Sequence, residues 1–396
     1  MAQPGPDFSA ADHAMMARAL RLADRGIFTT QPNPRVGCVI THGEEVVGEG
    51  WHQRAGEPHA EVFALRAAGE RARGAIAYVT LEPCSHHGRT PPCADALIEA
   101  GIARVVFASE DPNPKVAGAG IRRIREAGIA VETGLMRDAA RELNRGFFSR
   151  FERGRPWVRV KLAMSLDGRT ALANGESKWI TGEAARADVQ RWRARSSAIL
   201  TGAGTARADD PRLTVRVGGA VRGAVSDRHP ASPSAVARDA VGIAQAQPFR
   251  PVRVVLDARL DALQSGAHLL DGGAPTLVLH APGARPSDAR YTHVELAAVQ
   301  CDAKRRLDLD VALRLLAGRG VNELQVEAGP TLCGALFQRG LVDELLLYIA
   351  PTVLGDTARP LLQLPALAGM TGRWPLRLLD QRRVGEDLRM RLCAAG

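Results

Sequence analysis

The sequence has few aromatic residues and few lysines. Phe, Trp and Tyr make up 4% of the 396 residues, which leaves little surface for stacking on nucleic-acid bases. Of the 52 basic residues 48 are arginines, and the four lysines are Lys115, Lys161, Lys178 and Lys304. The net charge of +9 therefore comes from scattered arginine, with no basic run of about five to eight residues. We expect no nucleic-acid partner, and scattered arginines suit a phosphorylated small molecule instead.

The sequence also lacks a long apolar segment. No stretch of about 18 apolar residues occurs, and residues 1–13 contain no apolar core of signal-peptide length. These absences predict a cytoplasmic protein without a membrane partner. Only six cysteines occur, and four of them are scattered, so a reduced state is expected. With 396 residues the chain is longer than a typical single core, which predicts two domains.

The other two cysteines belong to the most informative stretch of the chain. His59 and Glu61 form a His-Ala-Glu motif, Cys84 follows a proline, and Cys93 ends a Gly-Arg-Thr-Pro-Pro-Cys run. One imidazole and two thiols form a three-ligand set for Zn²⁺, with the fourth position left for water. Glu61 suits a general acid and base that does not bind the metal. This H-x-E…P-C order is typical of hydrolytic deamination of a heterocycle.

The spacing of the two cysteines departs from the short deaminase pattern. Eight residues separate Cys84 from Cys93, where nucleoside and nucleic-acid deaminases usually have two. We predict that this loop, with His86, His87 and Arg89, contacts substrate. A structural zinc knuckle is the alternative, since either histidine would supply a fourth protein ligand.

Local patterns place the predicted ligands on regular elements. A helix is predicted from His59 to Gly69, a buried strand over residues 77–81, and a second helix over residues 94–100. Cys93 then lies at a helix N-terminus, where exposed N–H groups favour a thiolate. Upstream, a helix is predicted over residues 10–25, and two prolines fix Asn33 in a turn. The Asn33 amide suits the edge of a pyrimidine, with a plain turn residue as the alternative.

Strands alternate with helices through the rest of the first half, which indicates an α/β layered domain. With the Pro-Asn-Pro-Arg-Val-Gly and Asp-Pro-Asn-Pro turns, the motifs closely resemble the deaminase half of the bifunctional riboflavin-biosynthesis deaminase/reductase family. This resemblance implies a cytidine-deaminase-like αβα fold and a 2,5-diamino-6-ribosylamino-pyrimidinone 5′-phosphate substrate. It also implies one zinc ion per chain on His59, Cys84 and Cys93, with Glu61 transferring protons. The implied substrate contacts are Asn33, His52, Arg89, Asp111 and Asn113.

The second half begins after a predicted helix over residues 135–151 and a polar break, so the predicted domains are 1–150 and 151–396. Two strand–glycine–helix turns, at residues 201–205 and 328–336, offer N–H groups that suit a phosphate, with plain helix packing as the alternative. Neither turn is G-x-G-x-x-G, so a Rossmann site is not supported. Glu327 stands at a strand's carboxyl end, where α/β proteins place substrate contacts.

These blocks resemble the reductase half of the same family, which implies a dihydrofolate-reductase-like α/β fold and NADPH. The implied cofactor contacts are Ala163, Trp179, Thr205, Asp209, Gly329, Pro330, Thr331, Leu332, Cys333, Gly334 and Ala335. The implied substrate contacts are Ser177, Arg193, Leu213, Arg216 and Glu327. Hydride is expected to reach ribose C1 in its ring-opened imine form, with Asp209 and Glu327 as candidate general acids.

One segment departs from the family pattern. Residues 217–247 are rich in Gly, Ala, Ser and Pro, and we predict a surface insertion there. Two other readings stay open: a nucleoside or tRNA deaminase with an accessory C-terminal domain, and a non-catalytic module stabilised by zinc. The resemblance and exposed sheet edges favour a homodimer or larger homo-oligomer.

Overall fold

The computed structural model divides the chain into two units, Met1–Gly154 and Arg155–Gly396. The structure describes residues 7–85, 92–114, 116–216, 249–286 and 288–395. The predicted insertion at 217–247 and the predicted contact Arg89 lie outside the described residues. Among the helices that are described, each is too short or too polar to cross a membrane.

The first unit is a five-stranded sheet between two layers of helices. Its strands lie in the order β2-β1-β3-β4-β5, with β1 antiparallel to both neighbours and β3, β4 and β5 parallel. In chain order the elements are α1 (Ala10–Asp24), β1 (Gly37–His42), β2 (Glu45–Trp51), α2 (Ala60–Ala68), β3 (Ile76–Val79), α3 (Cys93–Glu99), β4 (Arg104–Phe107), α4 (Ala119–Glu126) and β5 (Ala130–Thr133).

Two hydrophobic cores fill the two faces of this sheet. Cys38 and Ile40 of β1 pack in one core with α2, α3 and α4, whereas Val39 packs in the other core with α1. This alternation is the period of two that a strand imposes on its side chains. The first unit therefore has the αβα layering that the resemblance implies.

The helix predicted over residues 135–151 is wrong in one respect, because the structure has two helices there. These are α5 (Arg137–Leu143) and α6 (Arg145–Arg153), and they meet at Asn144. The Asn144 side chain accepts a hydrogen bond from the Arg35 backbone N–H and donates one to the Arg35 carbonyl, both at 2.8 Å. The break lies in the backbone of Asn144 itself, whose φ of −109° and ψ of 20° depart from α-helical values.

The second unit is built on a nine-stranded sheet in the order β11-β10-β9-β8-β12-β6-β13-β16-β15. The strands from β11 to β13 are parallel, and the hairpin of β15 and β16 adds an antiparallel edge. The strands of this sheet are β6 (Trp157–Ser165), β8 (Ala198–Gly202), β9 (Val252–Leu256), β10 (Thr276–His280), β11 (Glu295–Ala298), β12 (Glu323–Val326), β13 (Glu344–Ala350), β15 (Leu376–Val384) and β16 (Asp387–Ala394).

The helices of the second unit are α7 (Glu183–Arg195), α8 (Ala203–Asp209), α9 (Leu309–Gly318) and α10 (Pro330–Gln338). A short two-stranded sheet pairs β7 (Arg169–Ala171) with β14 (Arg359–Pro360), and 3-10 turns lie at Gly69–Ala72, His268–Leu270, Ala289–Tyr291 and Met370–Gly372. Because β6, β8, β9 and β12 run parallel, their carboxyl ends share one edge, where α/β sheets bind ligands.

The middle of this sheet contains a buried ion-pair network. The Arg159 side chain of β6 has no solvent exposure. Its Nη2 lies 2.9 Å from Glu323 on β12, and its Nε lies 3.1 Å from Glu344 on β13. Arg195 and Arg391 pair with these same two carboxylates. One cation thus bridges the strands on both sides of its own.

Candidate functional sites

The three predicted zinc ligands converge in the first unit. The metal-binding atoms of His59, Cys84 and Cys93 all lie within 4.8 Å of one another. His59 caps the N-terminus of α2, and Cys93 opens α3. His59 Nδ1 lies 3.3 Å from Cys93 Sγ and 3.5 Å from Cys84 Sγ. One nitrogen and two sulfur donors in this grouping fit Zn²⁺ with an open fourth position.

The hydrogen bonds around Cys84 favour its thiolate form. The Cys93 side chain and the His59 ring hydrogen-bond to it and lower the pKa of Cys84 to about 4. The backbone N–H of Cys93 also donates to Cys84 Sγ at 3.4 Å. The thiolate is the form of cysteine that ligates a metal, so these contacts favour the binding form.

Glu61 lies in the first turn of α2 and is buried beside these ligands, with 3% of its surface exposed. Burial raises the pKa of Glu61 to about 7, and the negative Cys84 adds to this rise while His59 opposes it. In the described part of the chain, Oε2 of Glu61 has no hydrogen-bond partner. A carboxyl group with this pKa exchanges a proton readily at neutral pH, as a general acid and base requires.

Asn33 and His52 lie together next to the metal cluster. Asn33 Nδ2 is 3.1 Å from His52 Nε2, and His52 Nδ1 is 3.1 Å from the Pro58 carbonyl. The rings of His52 and His59 meet edge to face with centroids 5.4 Å apart. His52, which as an isolated residue is more typical of a surface, is therefore buried at the candidate site.

Asp111 and Asn113 occupy a turn that Glu82 holds in place. The Asn113 backbone N–H donates to Asp111 Oδ1 at 2.8 Å. The buried Glu82 carboxylate accepts from the backbone N–H groups of Asp111 and Gly118, at 3.3 and 3.1 Å. Because Glu82 precedes Cys84 by two residues, it ties this turn to the ligand segment. Glu82 belongs to the Leu-Glu-Pro-Cys segment but was not predicted as a site residue. The backbone N–H groups that it binds, those of Asp111 and Gly118, are distant in the chain.

In the second unit a cavity of about 1630 Å³ lies along the carboxyl edge of the sheet. Most of the predicted reductase residues line it: Ala163, Ser177, Trp179, Arg193, Thr205, Asp209, Leu213, Arg216, Glu327, Gly329, Pro330, Thr331, Leu332 and Ala335. The two predicted contacts outside this lining are Cys333 and Gly334. Cys333 is fully buried in the hydrophobic core, and a side chain at Gly334 would collide with the Gln363 backbone. Both lie on the face of α10 that packs against the protein.

Glu327 and Arg193 form a charge pair on the wall of this cavity. Arg193 Nε and Nη2 donate to the two Glu327 carboxylate oxygens, each at 2.7 Å, in a bidentate arrangement. Burial alone would raise the pKa of Glu327, but Arg193 and Lys161 outweigh it and lower this pKa to about 2. An ionised carboxylate accepts hydrogen bonds and protons and does not donate one, so Glu327 in this state is not a general acid.

The same arginine positions a second predicted segment. Arg193 Nη1 donates to the Thr214 carbonyl at 3.0 Å, between the predicted contacts Leu213 and Arg216. Asp209, the other candidate acid, is exposed at the end of α8. Trp179 is 69% exposed, with the Arg186 guanidinium 4.6 Å from its ring centroid.

The glycine turns after β8 and β12 lie in contact. The Gly329 backbone N–H donates to Thr205 Oγ1 at 3.1 Å, and a side chain at Gly202 would lie 3.2 Å from Leu332. The first turn of α10 therefore lies close to the segment after β8. Such a compact backbone leaves room for a ligand to lie across both turns.

The sequence analysis missed Lys161 as a site residue. It lies on β6 and lines the cavity, and burial lowers the pKa of its ammonium while Glu327 opposes this shift. A signal was present, because one of only four lysines in the chain lies between the apolar residues Val160 and Leu162 of a predicted strand.

Both halves of the chain are similar to known protein families. Residues 9–109 match the cytidine and deoxycytidylate deaminase zinc-binding region, and residues 156–389 match the RibD C-terminal domain. The riboflavin biosynthesis protein RibD of Escherichia coli strain K12 is 48% identical over 97% of this chain and 100% of its own length. The homologue from Haemophilus influenzae is 45% identical over 97% of this chain and 98% of its own length.

Solved structures give the same result. Acinetobacter baumannii RibD has a TM-score of 0.83 at 41% identity, with 97% of this chain and 99% of that chain covered. A diaminohydroxyphosphoribosylaminopyrimidine deaminase/5-amino-6-(5-phosphoribosylamino)uracil reductase from Thermotoga maritima has a TM-score of 0.80 at 28% identity, with 97% and 99% covered. With the metal cluster in one unit and the cavity in the other, these similarities show that the chain belongs to the RibD family of riboflavin biosynthesis proteins.

Proposed function

We propose that this chain performs two successive reactions on one phosphorylated pyrimidine. As a RibD family member it is a bifunctional enzyme of riboflavin biosynthesis, with deaminase and reductase activities. The unit Met1–Gly154 hydrolyses an amino group of 2,5-diamino-6-ribosylamino-4(3H)-pyrimidinone 5′-phosphate. The unit Arg155–Gly396 then reduces the ribosyl group to ribityl with NADPH. The observation that carries this proposal is the buried Glu61 beside a three-ligand metal cluster, in one chain with a cavity centred on Glu327 and Arg193.

In the deaminase unit, His59, Cys84 and Cys93 would hold Zn²⁺, which supplies a Lewis acid for hydrolysis when bound. Glu61 takes a proton from the attacking water and delivers it to the departing amine, which leaves as ammonia. Its pKa of about 7 suits both transfers at neutral pH. Asn33 and His52 orient the pyrimidine, and Asp111 and Asn113 contact it from the turn that Glu82 holds. Arg89 is proposed to contact its phosphate.

In the reductase unit, NADPH supplies the hydride when bound. Gly329 and the first turn of α10 suit its pyrophosphate, because the N-terminal end of this helix has no side-chain cap and favours negative charge. Ala163, Trp179, Thr205 and Asp209 would line the remainder of the cofactor. Arg193 and Arg216 suit the substrate phosphate, and Glu327 accepts hydrogen bonds from the ribosyl hydroxyls. Ser177 and Leu213 complete this wall.

Two measurements test the proposal together. Purified chain should contain one zinc per chain, with X-ray absorption showing one nitrogen, two sulfur and one oxygen neighbour. Substrate should release ammonia in the absence of NADPH, and NADPH oxidation should begin only once deaminated product is present. A metal enclosed by four side chains, or ammonia release without any NADPH oxidation, would contradict the proposal.

The rival reading, a nucleoside or tRNA deaminase with an accessory domain, is not favoured. It predicts little NADPH binding, and residues 156–389 match the RibD C-terminal domain instead of an unrelated accessory module. We propose a cytoplasmic location and small-molecule substrates only, without nucleic acid or membrane.

We also propose that the chain forms a homodimer or larger homo-oligomer. The edge strand β15 leaves Leu376, Leu378 and Leu379 exposed, and exposed apolar edges are prone to pair with another chain. Light scattering that shows monomer alone would reject this assembly.

A further inference from the structure

A pair of arginines joined by one carboxylate lies on the wall of the reductase cavity. Arg207 of α8 donates from Nη2 to Asp261 Oδ1, and Arg259 donates from Nε to Asp261 Oδ2 at 2.9 Å. All three residues line the cavity. Because one carboxylate contacts both guanidinium groups, the two cations are held next to each other.

The sheet topology places this pair on one side of the glycine turns. Arg207 follows β8, and Arg259 and Asp261 follow β9, the next parallel strand. Glu327 and Gly329 follow β12, which is the neighbour of β8 on its other side. With strands about 4.8 Å apart, the step from β12 to β9 is roughly 10 Å. A dinucleotide that has its reactive end at Glu327 and its pyrophosphate at Gly329 would reach Arg207 and Arg259 with its adenosine end.

The charges and donors of the pair suit a phosphate. Two guanidinium groups share one carboxylate, so the group of three keeps a net positive charge. In the described part of the chain, the remaining nitrogens of Arg207 and Arg259 have no hydrogen-bond or ion-pair partner. The side chains are 38% and 76% exposed, so these donors are accessible from the cavity. Guanidinium groups bind phosphate through charge-assisted hydrogen bonds.

A second basic group on the cavity wall fits less well. Arg305 and Arg306 lie in the turn after β11, two strands beyond β9. Arg306 already donates from Nε and Nη2 to Asp302, at 3.1 and 3.0 Å. Arg305 provides a matched control, because it is an arginine of the same cavity that lies farther from the glycine turns.

We propose that Arg207 and Arg259 bind the 2′-phosphate of NADPH and thereby select NADPH over NADH. This inference rests on the reductase function proposed above. Asp261 holds the two guanidinium groups in position, and the phosphate bridges them through the donors that Asp261 leaves open.

The test uses the full chain and nucleotides that undergo no reaction. Isothermal calorimetry would compare adenosine 2′,5′-bisphosphate with 5′-AMP, which differ only in the 2′-phosphate. We expect the wild type to bind the bisphosphate at least about tenfold more tightly, because hydrogen bonds between charged groups are stronger than those between neutral groups. The double variant Arg207→Gln/Arg259→Gln should lose about 10- to 100-fold in bisphosphate affinity while 5′-AMP binding stays unchanged. Arg207→Lys/Arg259→Lys should retain part of the preference, and Arg305→Gln should retain all of it.

The outcomes separate this inference from the reductase function. Wild type that binds adenosine 2′,5′-bisphosphate and 5′-AMP equally well, or a double variant that weakens the binding of both nucleotides alike, would overturn the subsite. A loss of preference in Arg305→Gln would also overturn it, by moving the phosphate to the more distant turn. Wild type that binds neither NADPH nor NADH would instead reject the reductase function itself. Circular dichroism of each variant would establish that it is folded.

Discussion

Glu61 in the first unit is buried and Glu327 in the second is 14% exposed, and both are carboxyl groups at a proposed site, yet their pKa values shift in opposite directions. Burial raises the pKa of Glu61 to about 7, whereas Arg193 and Lys161 overcome burial and lower the pKa of Glu327 to about 2. Near neutral pH Glu61 therefore gains and loses a proton, while Glu327 stays an anion. The first property suits proton transfer and the second suits holding a substrate in place.

The groups that contact a buried carboxyl group, and not the unit in which it lies, decide whether its pKa is raised or lowered. Asp12 lies in the same unit as Glu61 and is also buried, with 4% exposure. Burial opposes its ionisation, but hydrogen bonds from Arg104, Ser9 and Tyr78 hold the pKa of Asp12 well below its ordinary value. A buried carboxyl group that accepts a hydrogen bond from a cation, as Asp12 does from Arg104, is thus a structural anchor here, and one that accepts none, such as Glu61, is free to carry a proton.

The largest expected effect is that of Glu61→Gln. This change keeps the shape of the side chain and removes its titratable proton, so deamination should fall by about 10²- to 10⁴-fold. Zinc content and NADPH oxidation on previously deaminated substrate should remain at wild-type levels. Ammonia release and absorbance at the NADPH band measure the two activities separately.

The matched control is Glu57→Gln, because Glu57 lies in the same unit on the surface, where its one ion pair with a described residue is with Arg54. Its deaminase rate should equal that of the wild type. Deamination that survives Glu61→Gln would show that Glu61 does not transfer the proton.

A smaller effect is expected from Arg193→Met, which removes the cation from Glu327. Breaking a buried pair and leaving one charge costs about 3–5 kcal/mol of unfolding free energy, and we expect the lower end because Lys161 and Gln325 remain beside Glu327. Urea unfolding followed by tryptophan fluorescence measures this loss, because four of the five tryptophans lie in the second unit. Arg193→Lys should retain most of the stability.

The pH dependence of the unfolding free energy shows whether the loss of stability in Arg193→Met comes from charge or from packing. In the wild type the lowered pKa of Glu327 contributes stability at neutral pH, which is lost only as pH falls towards about 2. In Arg193→Met burial without the guanidinium raises this pKa, so Glu327 takes up a proton as pH falls and the variant loses less stability at pH 5 than at pH 8. A deficit that is equal at both pH values would show that lost packing, and not charge, causes the destabilisation.

The smallest expected effect is that of Tyr78→Phe. The Tyr78 hydroxyl donates to Asp12 Oδ1 at 2.8 Å, and Arg104 and Ser9 also hydrogen-bond to this carboxylate. Removal of one donor should therefore cost about 1 kcal/mol of stability in the first unit and should raise the pKa of Asp12. Acid unfolding should then begin at a higher pH, as circular dichroism during titration would show. A change in either enzymatic activity would mean that this anchor also supports a site.

The sequence predicted the metal cluster better than the cavity, and the reason is the distance between partners. His59, Glu61, Cys84 and Cys93 belong to one short stretch, and helix and strand signals place them correctly. The wall of the cavity comes from strand ends that are far apart in the chain, so no local pattern predicted the contacts of Lys161 or the arrangement of Arg207 with Asp261. The break at Asn144 was missed as well, and the Arg35 backbone that its side chain binds lies 109 positions away.

The buried Arg159 network has a consequence for how the large sheet assembles. Its two carboxylates lie on β12 and β13, the strands on either side of β6. If either strand slid along β6 by two residues, apolar side chains would still face the core, but the buried Arg159 would lose one of its two counter-charges. Both ion pairs of Arg159 therefore form in a single alignment of the three parallel strands. In this alignment the carboxyl ends of the strands, which form the edge of the cavity, lie level with one another.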